Sequence, residues 1–543
     1  MKKSFVLLIS VFLLASFLVT GCSYGVASDN NYTTNTNSTN SSTDVPANTE
    51  TKVSPDKIRI FYITSGLTIP DNFNYKNNFV LDELAKIANV EIEEAVVPPY
   101  SDYKTKFNLM MSSGNICDVV HIPAVNEVNS YGQSGAFVEL TDIINGSDIM
   151  KKRYSIQFVE LLKANDGKIY SLRSLPVDGD CNSFGVRYDL LESVGYTGMP
   201  TTMDEWLNAM RKVKAKYPDS IPYTSRENLH YCEFVFKSFG CASDGVSWQY
   251  YKGKVIPAFG NPLYKDALIT YQTMLEEGLM DKEFVTSKAQ DFQDKRLNKN
   301  VLINQQNLTA LATWIDRFTS NGITTAMFIP GRYPKIEDDR IDPIAVFDGP
   351  PSIGAHCVAI SSTSKKKDAA VRFLEALLSD ECNNLTVWGR EGIEYNVING
   401  EKVSDYTKAS ESNWRLMYGM LFGFNTKEEL ELLAKTNIAN TKFDNAGKEK
   451  YQKLFLEEAG KALADLNSVQ MNPYNLIALD KDTVTRLTEA ANEARTIAVK
   501  AMLNEISLTE FDAQAANFME KYQFITDEYN AKLPEAQRKA TMK

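Results

Sequence analysis

The hydrophobic period of this chain alternates between two and 3.6 residues along positions 57–122, and few folds satisfy that pattern. "KIRIFYI" (57–63) reads as a strand. Val80, Leu84, Ile87 and Ala88 fall at i, i+4, i+7 and i+8, one face of a helix. "VEIEEAVV" (90–97) alternates as a strand. "SDYKTKFNLMMSSG" (101–114) sets Tyr103, Phe107, Met110 and Met111 on one helical stripe and stops at Gly114. "CDVVHI" (117–122) is a short buried strand. Strand, helix, strand, helix, strand predicts an α/β layer with a largely parallel sheet. The alternation recurs downstream. "KIYSLRSLPV" (168–177) is extended, and "FGVRYDLLESVGY" (184–196) runs from strand into helix. "PTTMDEWLNAMRKVKAKYP" (200–218) is a helix opened by a Thr202–Glu205 capping box, with Trp206, Met210, Val213 and Tyr217 inward. "DAAVRFLEALLSDE" (368–381) buries Ala370, Phe373, Leu374, Leu377 and Leu378, and 410–540 is helix-dominated. A length of 543 residues exceeds what one core serves, so two or more lobes are expected.

The N-terminus has a different logic. Lys2 and Lys3 precede "SFVLLISVFLLASFLV", an apolar run shorter than a spanning helix needs, which reads as a signal peptide. It closes on Val19–Thr20–Gly21–Cys22, which resembles the bacterial lipobox. That resemblance implies cleavage before Cys22 and acylation of its thiol and new amino group, which gives stable anchoring. Residues 23–54 are rich in Ser, Thr and Asn, with almost no large apolar side chain, and read as a flexible tether. No other stretch approaches a transmembrane span.

The formal charge of −11 becomes −13 once residues 1–21 and their two lysines are removed, which argues against nucleic acid as a partner. The three histidines, His121, His230 and His356, are too scattered for a His-rich metal site. Besides Cys22 there are Cys117, Cys181, Cys232, Cys241, Cys357 and Cys382, with no CxxC; they read as small buried residues, with room for a pair.

Several segments then line up in order. "KFNLMMSSGNICDVVHI…YGQSGAFVELTDII" (106–144), "DGKIYSLRSLPV" (166–177), "VRYDLLESVGYTGMPTTMDEW" (186–206), "HCVAISSTSKKKDAAVRFLEALLSDE" (356–381) and "GREGIEYN" (389–396) resemble the successive signatures of bacterial extracellular solute-binding lipoproteins of ABC importers, in the maltose-binding-protein-like cluster. The third stretch is the most specific. Cys117 and Cys382 depart from the residues usual at their positions. The resemblance implies an α/β, two-lobed periplasmic-binding-protein-like fold with crossover hinge strands and a ligand cleft between the lobes. Lobe 1 is expected at 55–177 and 352–400, and lobe 2 at 178–351 and 401–543. The implied function is capture of an extracellular carbohydrate, an oligosaccharide for preference, and delivery to the transmembrane subunits of an ABC permease. The protein would be a monomer without catalytic residues, cofactor or metal, lipid-anchored at the extracellular face of the cell membrane.

A sugar cleft needs flat aromatic faces and planar polar groups that converge from both lobes. By position in the family, Trp314 and Tyr231 are candidate aromatic contacts, and Trp248 and Trp388 are further candidates. Each has a structural alternative: core for Trp314 and Trp388, a surface hairpin for Trp248. Trp206 is core by its helical period. Asp178 lies at the implied hinge, Asn126 and Glu127 follow a strand on a loop that faces the cleft in the family, and Glu391 is a weaker candidate that a buried ion pair explains equally well. Asp118 reads as structural. Asp178, Asp180, Asn182 and Asp189 fit part of a calcium-loop template, but Ser183 stands where the turn glycine is needed and 184–190 reads as strand into helix, which disfavours calcium. Two rivals stay open: a secreted glycoside hydrolase, which needs two carboxylates, and a binder of peptides or other polar solutes.

Overall fold

In the computed structural model, residues 54–541 are described except 66, 68, 72, 101, 155, 175–181, 243–247, 348–355 and 422–426. The signal peptide, Cys22, nearly all of the tether, Asp178, Cys181 and the start of the calcium-like segment therefore lie outside the described residues. The strands are β1 (Asp56–Tyr62), β2 (Val90–Val96), β3 (Val119–Ile122), β4 (Leu172–Arg173), β5 (Asn182–Arg187), β6 (Trp248–Tyr251), β7 (Lys254–Pro257), β8 (Ile303–Asn307), β9 (Phe328–Gly331), β10 (Cys357–Ile360), β11 (Tyr395–Ile398) and β12 (Glu401–Ser404).

The first sheet has the order β2-β1-β3-β10-β4. β2, β1 and β3 are parallel, as the alternation requires, whereas β10 pairs antiparallel with both β3 and β4. β10 is the chain returning from a long excursion, so its direction is not set by a crossover helix. Alternate residues serve opposite faces. Ile58, Ile60, Tyr62, Val119 and Val358 enter one core, and Phe61, Ile63, Val120, Ile122 and Ala359 enter another. The first of these cores is covered by helices Phe79–Ala88 and Lys367–Leu377, and by Trp414, Met417, Tyr418 and Leu421. The segment 413–421 thus packs on the first sheet, although the sequence reading places 401–543 with lobe 2. The opposite face is covered by Phe107 and Met111 of helix Tyr103–Ser113, which ends on Gly114 at φ +70.

The second sheet, β8-β5-β9, is antiparallel throughout. Its core takes in helix Met203–Lys216, whose Thr202–Glu205 capping box and inward Trp206, Met210 and Val213 are as the sequence predicts. Long helices from the C-terminal part complete it, with Tyr451 of helix Asn445–Asn467 donating to Phe328 O (3.0 Å) and accepting from Phe328 N (2.6 Å). Across β5 and β9, each phenylalanine lies over a glycine. A Cβ on Gly331 would sit 2.1 Å from the Phe184 ring, and one on Gly185 2.0 Å from that of Phe328. Where the chain leaves the first sheet, Ser174 N donates to His356 O at 2.9 Å, so outgoing and returning segments run side by side. Residues 55–543 cluster as one unit, and Leu67 packs against the cores of both sheets.

Cys117, Cys232, Cys241, Cys357 and Cys382 are all buried, and no disulfide joins any two of the described cysteines. Residues 182–187 of the calcium-like segment form the central strand of the second sheet. Asp189 is engaged with Arg187 (2.6 Å) and Met327 N (3.1 Å). Among the described residues no group of three or more His, Cys, Asp or Glu could hold a metal ion, and no helix is long and apolar enough to cross a membrane.

Candidate functional site

In a parallel sheet, ligands bind at the carboxyl ends of the strands, because the connections that leave there are free to vary. In the first sheet those connections begin after Tyr62, Val96 and Ile122. The first two are tied together by Thr64 N donating to Pro98 O (3.3 Å), and the second carries Tyr100, whose ring meets Tyr103 at 5.4 Å. Tyr100 is 49% exposed, yet its phenol is raised, first by burial and then by the neighbouring Tyr103 and Tyr231, with Arg226 opposing. A side chain open to water but crowded by protein on several sides stands on the wall of a cleft. Tyr231 and Arg226, whose charges bear on Tyr100, belong to the second sheet's half of the molecule.

The third connection continues as helix Val125–Gln133 and carries Asn126 and Glu127. Asn126 is exposed. Glu127 pairs with Lys104 at 3.0 Å and is one cause, after burial, of the raised phenol of Tyr103.

The opposite wall is built on strained backbone. Asn228, Leu229 and Tyr231 have φ of +63, +58 and +61, a conformation that costs a non-glycine residue roughly 1–2 kcal/mol. The surroundings hold it in place. Arg226 N donates to His230 O (3.0 Å), Glu227 N to Ser287 O (3.1 Å), and Tyr223 Oη to Tyr231 O (2.9 Å). Strain of this kind concentrates at ligand clamps and switch regions. It turns the Tyr231 ring flat onto Phe292, with centroids 5.0 Å apart and planes within 6°.

Phe292 and Arg296 share a face of helix Ala289–Asn298, at the i,i+4 spacing. The Arg296 guanidinium lies 5.0 Å from the Phe292 centroid and 3.7 Å from that of Trp314. Its Nε donates to Asn304 Oδ1 (2.8 Å) and its Nη1 to Gln306 Oε1 (3.3 Å). Arg317, one turn beyond Trp314 in helix Leu308–Ser320, lies 5.0 Å from the same ring. Burial pushes the Arg296 guanidinium down to about 9, opposed by the nearby Tyr231 hydroxyl, and it stays charged at neutral pH. Burial lowers Arg317 as well, again opposed by Tyr231.

A model of the bacterial extracellular solute-binding protein family matches residues 69–382. The chain belongs to that family. Among relatives of this solute-binding protein, lipoprotein LipO of Bacillus subtilis is 24% identical over 358 residues, 62% of this chain and 67% of its own length. The fructooligosaccharide ABC transporter substrate-binding protein FusA of Streptococcus pneumoniae is 27% identical over 247 residues, 41% of this chain and 45% of that one. The same fold appears in a solute-binding protein of Bifidobacterium longum infantis that binds HMO, with a TM-score of 0.62, 18% identity and coverage of 89% and 99% of the two chains. It appears also in the alginate-binding protein AlgQ2, with a TM-score of 0.61, 16% identity and coverage of 88% and 98%. The two-lobed α/β architecture implied by the ordered signatures is therefore that of this solute-binding protein.

The sequence candidates separate in space. Tyr231 and Trp314 meet through Phe292 and Arg296. Trp314 is only 2% exposed, however, and Arg296 covers its ring, so it offers no free stacking face here. Trp248 is corrected outright. It does lie in a hairpin, β6–β7, but it is fully buried, donates from Nε1 to Thr526 Oγ1 (2.8 Å) and packs among Phe518, Tyr522 and Tyr529. The C-terminal helices cover a side that the local sequence leaves open. Trp388 packs against Tyr395 (5.8 Å) under Lys402, beside the β11–β12 hairpin. Glu391 is exposed, and the buried acid of that stretch is Glu394, 2% exposed and paired with Arg390 at 2.7 Å. Sequence reasoning missed Tyr100, Tyr103, Arg226, Phe292, Arg296 and Arg317. The position of Tyr100 just past the carboxyl end of a parallel strand was a usable signal. "QDFQDKRLNKN" reads as a solvated helix face and gave none for Arg296.

Proposed function

We propose that this protein captures an extracellular carbohydrate between its two lobes and delivers it to an ABC permease, while Cys22 and the tether hold it at the outer face of the cell membrane. It binds and does not transform its ligand. The arrangement that carries the reading is the stacked Tyr231–Phe292 pair with Arg296 and Arg317 about Trp314 in the second lobe, together with the exposed Tyr100 ring at the carboxyl edge of the first sheet. Aromatic rings and planar donors from both sides supply what a sugar needs: stacking on C–H faces and paired hydrogen bonds to hydroxyls. The binding of fructooligosaccharide, N-glycan, HMO and alginate by proteins of this family or fold supports a carbohydrate. The side-by-side segments at Ser174 and His356 serve as the hinge.

Calorimetry against an oligosaccharide panel tests the ligand class; an affinity of μM or better, about −8 kcal/mol, is expected. Binding of peptides with no binding of sugars overturns it. Chromatography of the incubated oligosaccharides tests the absence of chemistry: release of shorter products makes the protein a hydrolase. Small-angle scattering tests closure, with a smaller radius of gyration expected at saturation.

A further inference from the structure

Arg296 is fully buried and forms no ion pair among the described residues. Its Nη2 is buried without a hydrogen-bond partner, and what faces it is aromatic: Trp314 at 3.7 Å and Phe292 at 5.0 Å. Cation–π contact offsets only part of the cost of burying a charge. Arg317 is half-buried, bonds Gln293 Oε1 through Nη1 (3.3 Å) and also forms no ion pair among the described residues. Arg226 meets Glu227 at 3.3 Å, but Glu227 is shared with Lys288, and Arg226 Nε is buried without a partner. The nearest acid to Arg317 in sequence, Asp316, is itself raised by burial and accepts from Ser320. In a chain of net charge −11, one cleft wall thus gathers three arginines whose charge is mostly unmatched. Their planar forks suit a carboxylate, which accepts two parallel hydrogen bonds.

We propose that the cleft selects oligosaccharides that carry carboxylates, that is, oligouronides. Arg317 donates to the ligand carboxylate beside the Tyr231 hydroxyl, Arg296 supplies a second positive charge from behind, and Arg226 flanks the site. The inference rests on the carbohydrate reading above and adds the charge of the ligand to it. It makes Arg296 a positioning residue, acting through the field and through the Trp314 face it covers, and Arg317 the contact.

The test is calorimetry on the whole folded protein with three probes: a pool of oligogalacturonates and oligoalginates, the same pool with its carboxyls methyl-esterified, and a pool of neutral oligosaccharides. The acid pool is expected to bind at least tenfold more tightly than its ester, with affinity falling as salt rises from 50 to 500 mM. Arg317→Gln is expected to collapse the preference for acid over ester while the thermal midpoint stays in place. The ester comparison and the salt series need no variant, so a misfolded mutant does not decide the matter. Equal binding of acid and ester, or binding of neutral sugars alone, overturns this inference and leaves the carbohydrate reading standing. Binding of no pool overturns both.

Discussion

The Arg296 guanidinium lies 3.7 Å from the centre of the Trp314 ring, and both side chains are buried, so that face of Trp314 is covered by a cation. A buried cation without a carboxylate is held either for packing or for what it meets on binding. Replacement separates the two. Arg296→Met keeps the length and apolar bulk, and relief from an unpaired buried charge is expected to leave stability unchanged or raise it by about 1–2 kcal/mol. Urea unfolding measures this; a loss above about 2 kcal/mol makes Arg296 a packing residue.

Trp314 and Trp248 should behave as core. Trp248→Ala removes a fully buried ring and the donor to Thr526, and is expected to cost about 3–5 kcal/mol in denaturant unfolding. Under native conditions ligand affinity should stay within twofold of the parent. A tenfold weaker affinity in a folded Trp248→Phe variant would return that side chain to the binding site.

The interlock of Phe184 with Gly331 sets a narrow tolerance in the second sheet. A methyl group on Gly331 meets the Phe184 ring at 2.1 Å, and the ring has little room to shift because Trp206 and Phe234 pack edge-on against it at 5.7 and 5.1 Å. Gly331→Ala is expected to destabilise by about 1–3 kcal/mol through overpacking. Gly331→Ala combined with Phe184→Leu should recover part of that loss in the same assay.

Stability should fall with acid before the carboxylates titrate. His121 Nε2 lies 3.1 Å from His356 Nδ1, Tyr62 stacks on His121 at 4.0 Å, and burial holds both imidazoles below their ordinary value, His356 at about 4. A group depressed in the folded state is neutral there, while the unfolded chain takes up its proton first as pH falls through about 6.5. The unfolded state then binds more protons, so stability is full above about 6.5 and declines toward pH 4, by at most about 3 kcal/mol for His356. Urea midpoints at pH 7 and pH 5 measure the decline, and His356→Gln should reduce it. An unchanged slope in that variant refutes the assignment.

Cys22→Ser removes the thiol that lipidation requires. The variant is expected to leave the membrane fraction and appear in the medium or the soluble fraction; retention at the membrane overturns the anchor.

The sequence by itself determined the parallel β1–β2–β3 part of the first sheet, several helix ends and the family. Period, capping and turn residues act within a few positions, so the Thr202–Glu205 box, the stop at Gly114 and the β1–β2–β3 alternation are written locally. The ordered signatures carried the fold for the same reason. Which aromatic rings stay open is decided by other elements, near or far along the chain. Trp248 looks available until helix Gln523–Ala540 brings Thr526 and Tyr529 against it. Trp314 looks like a platform until helix Ala289–Asn298 lays Arg296 across it. Tyr231, Phe292, Arg296 and Trp314 come from three separate segments, and only tertiary packing brings them together. Local periodicity encodes which face of an element is buried, whereas the partner that buries it, and any gap left between two walls, is a property of the assembled chain.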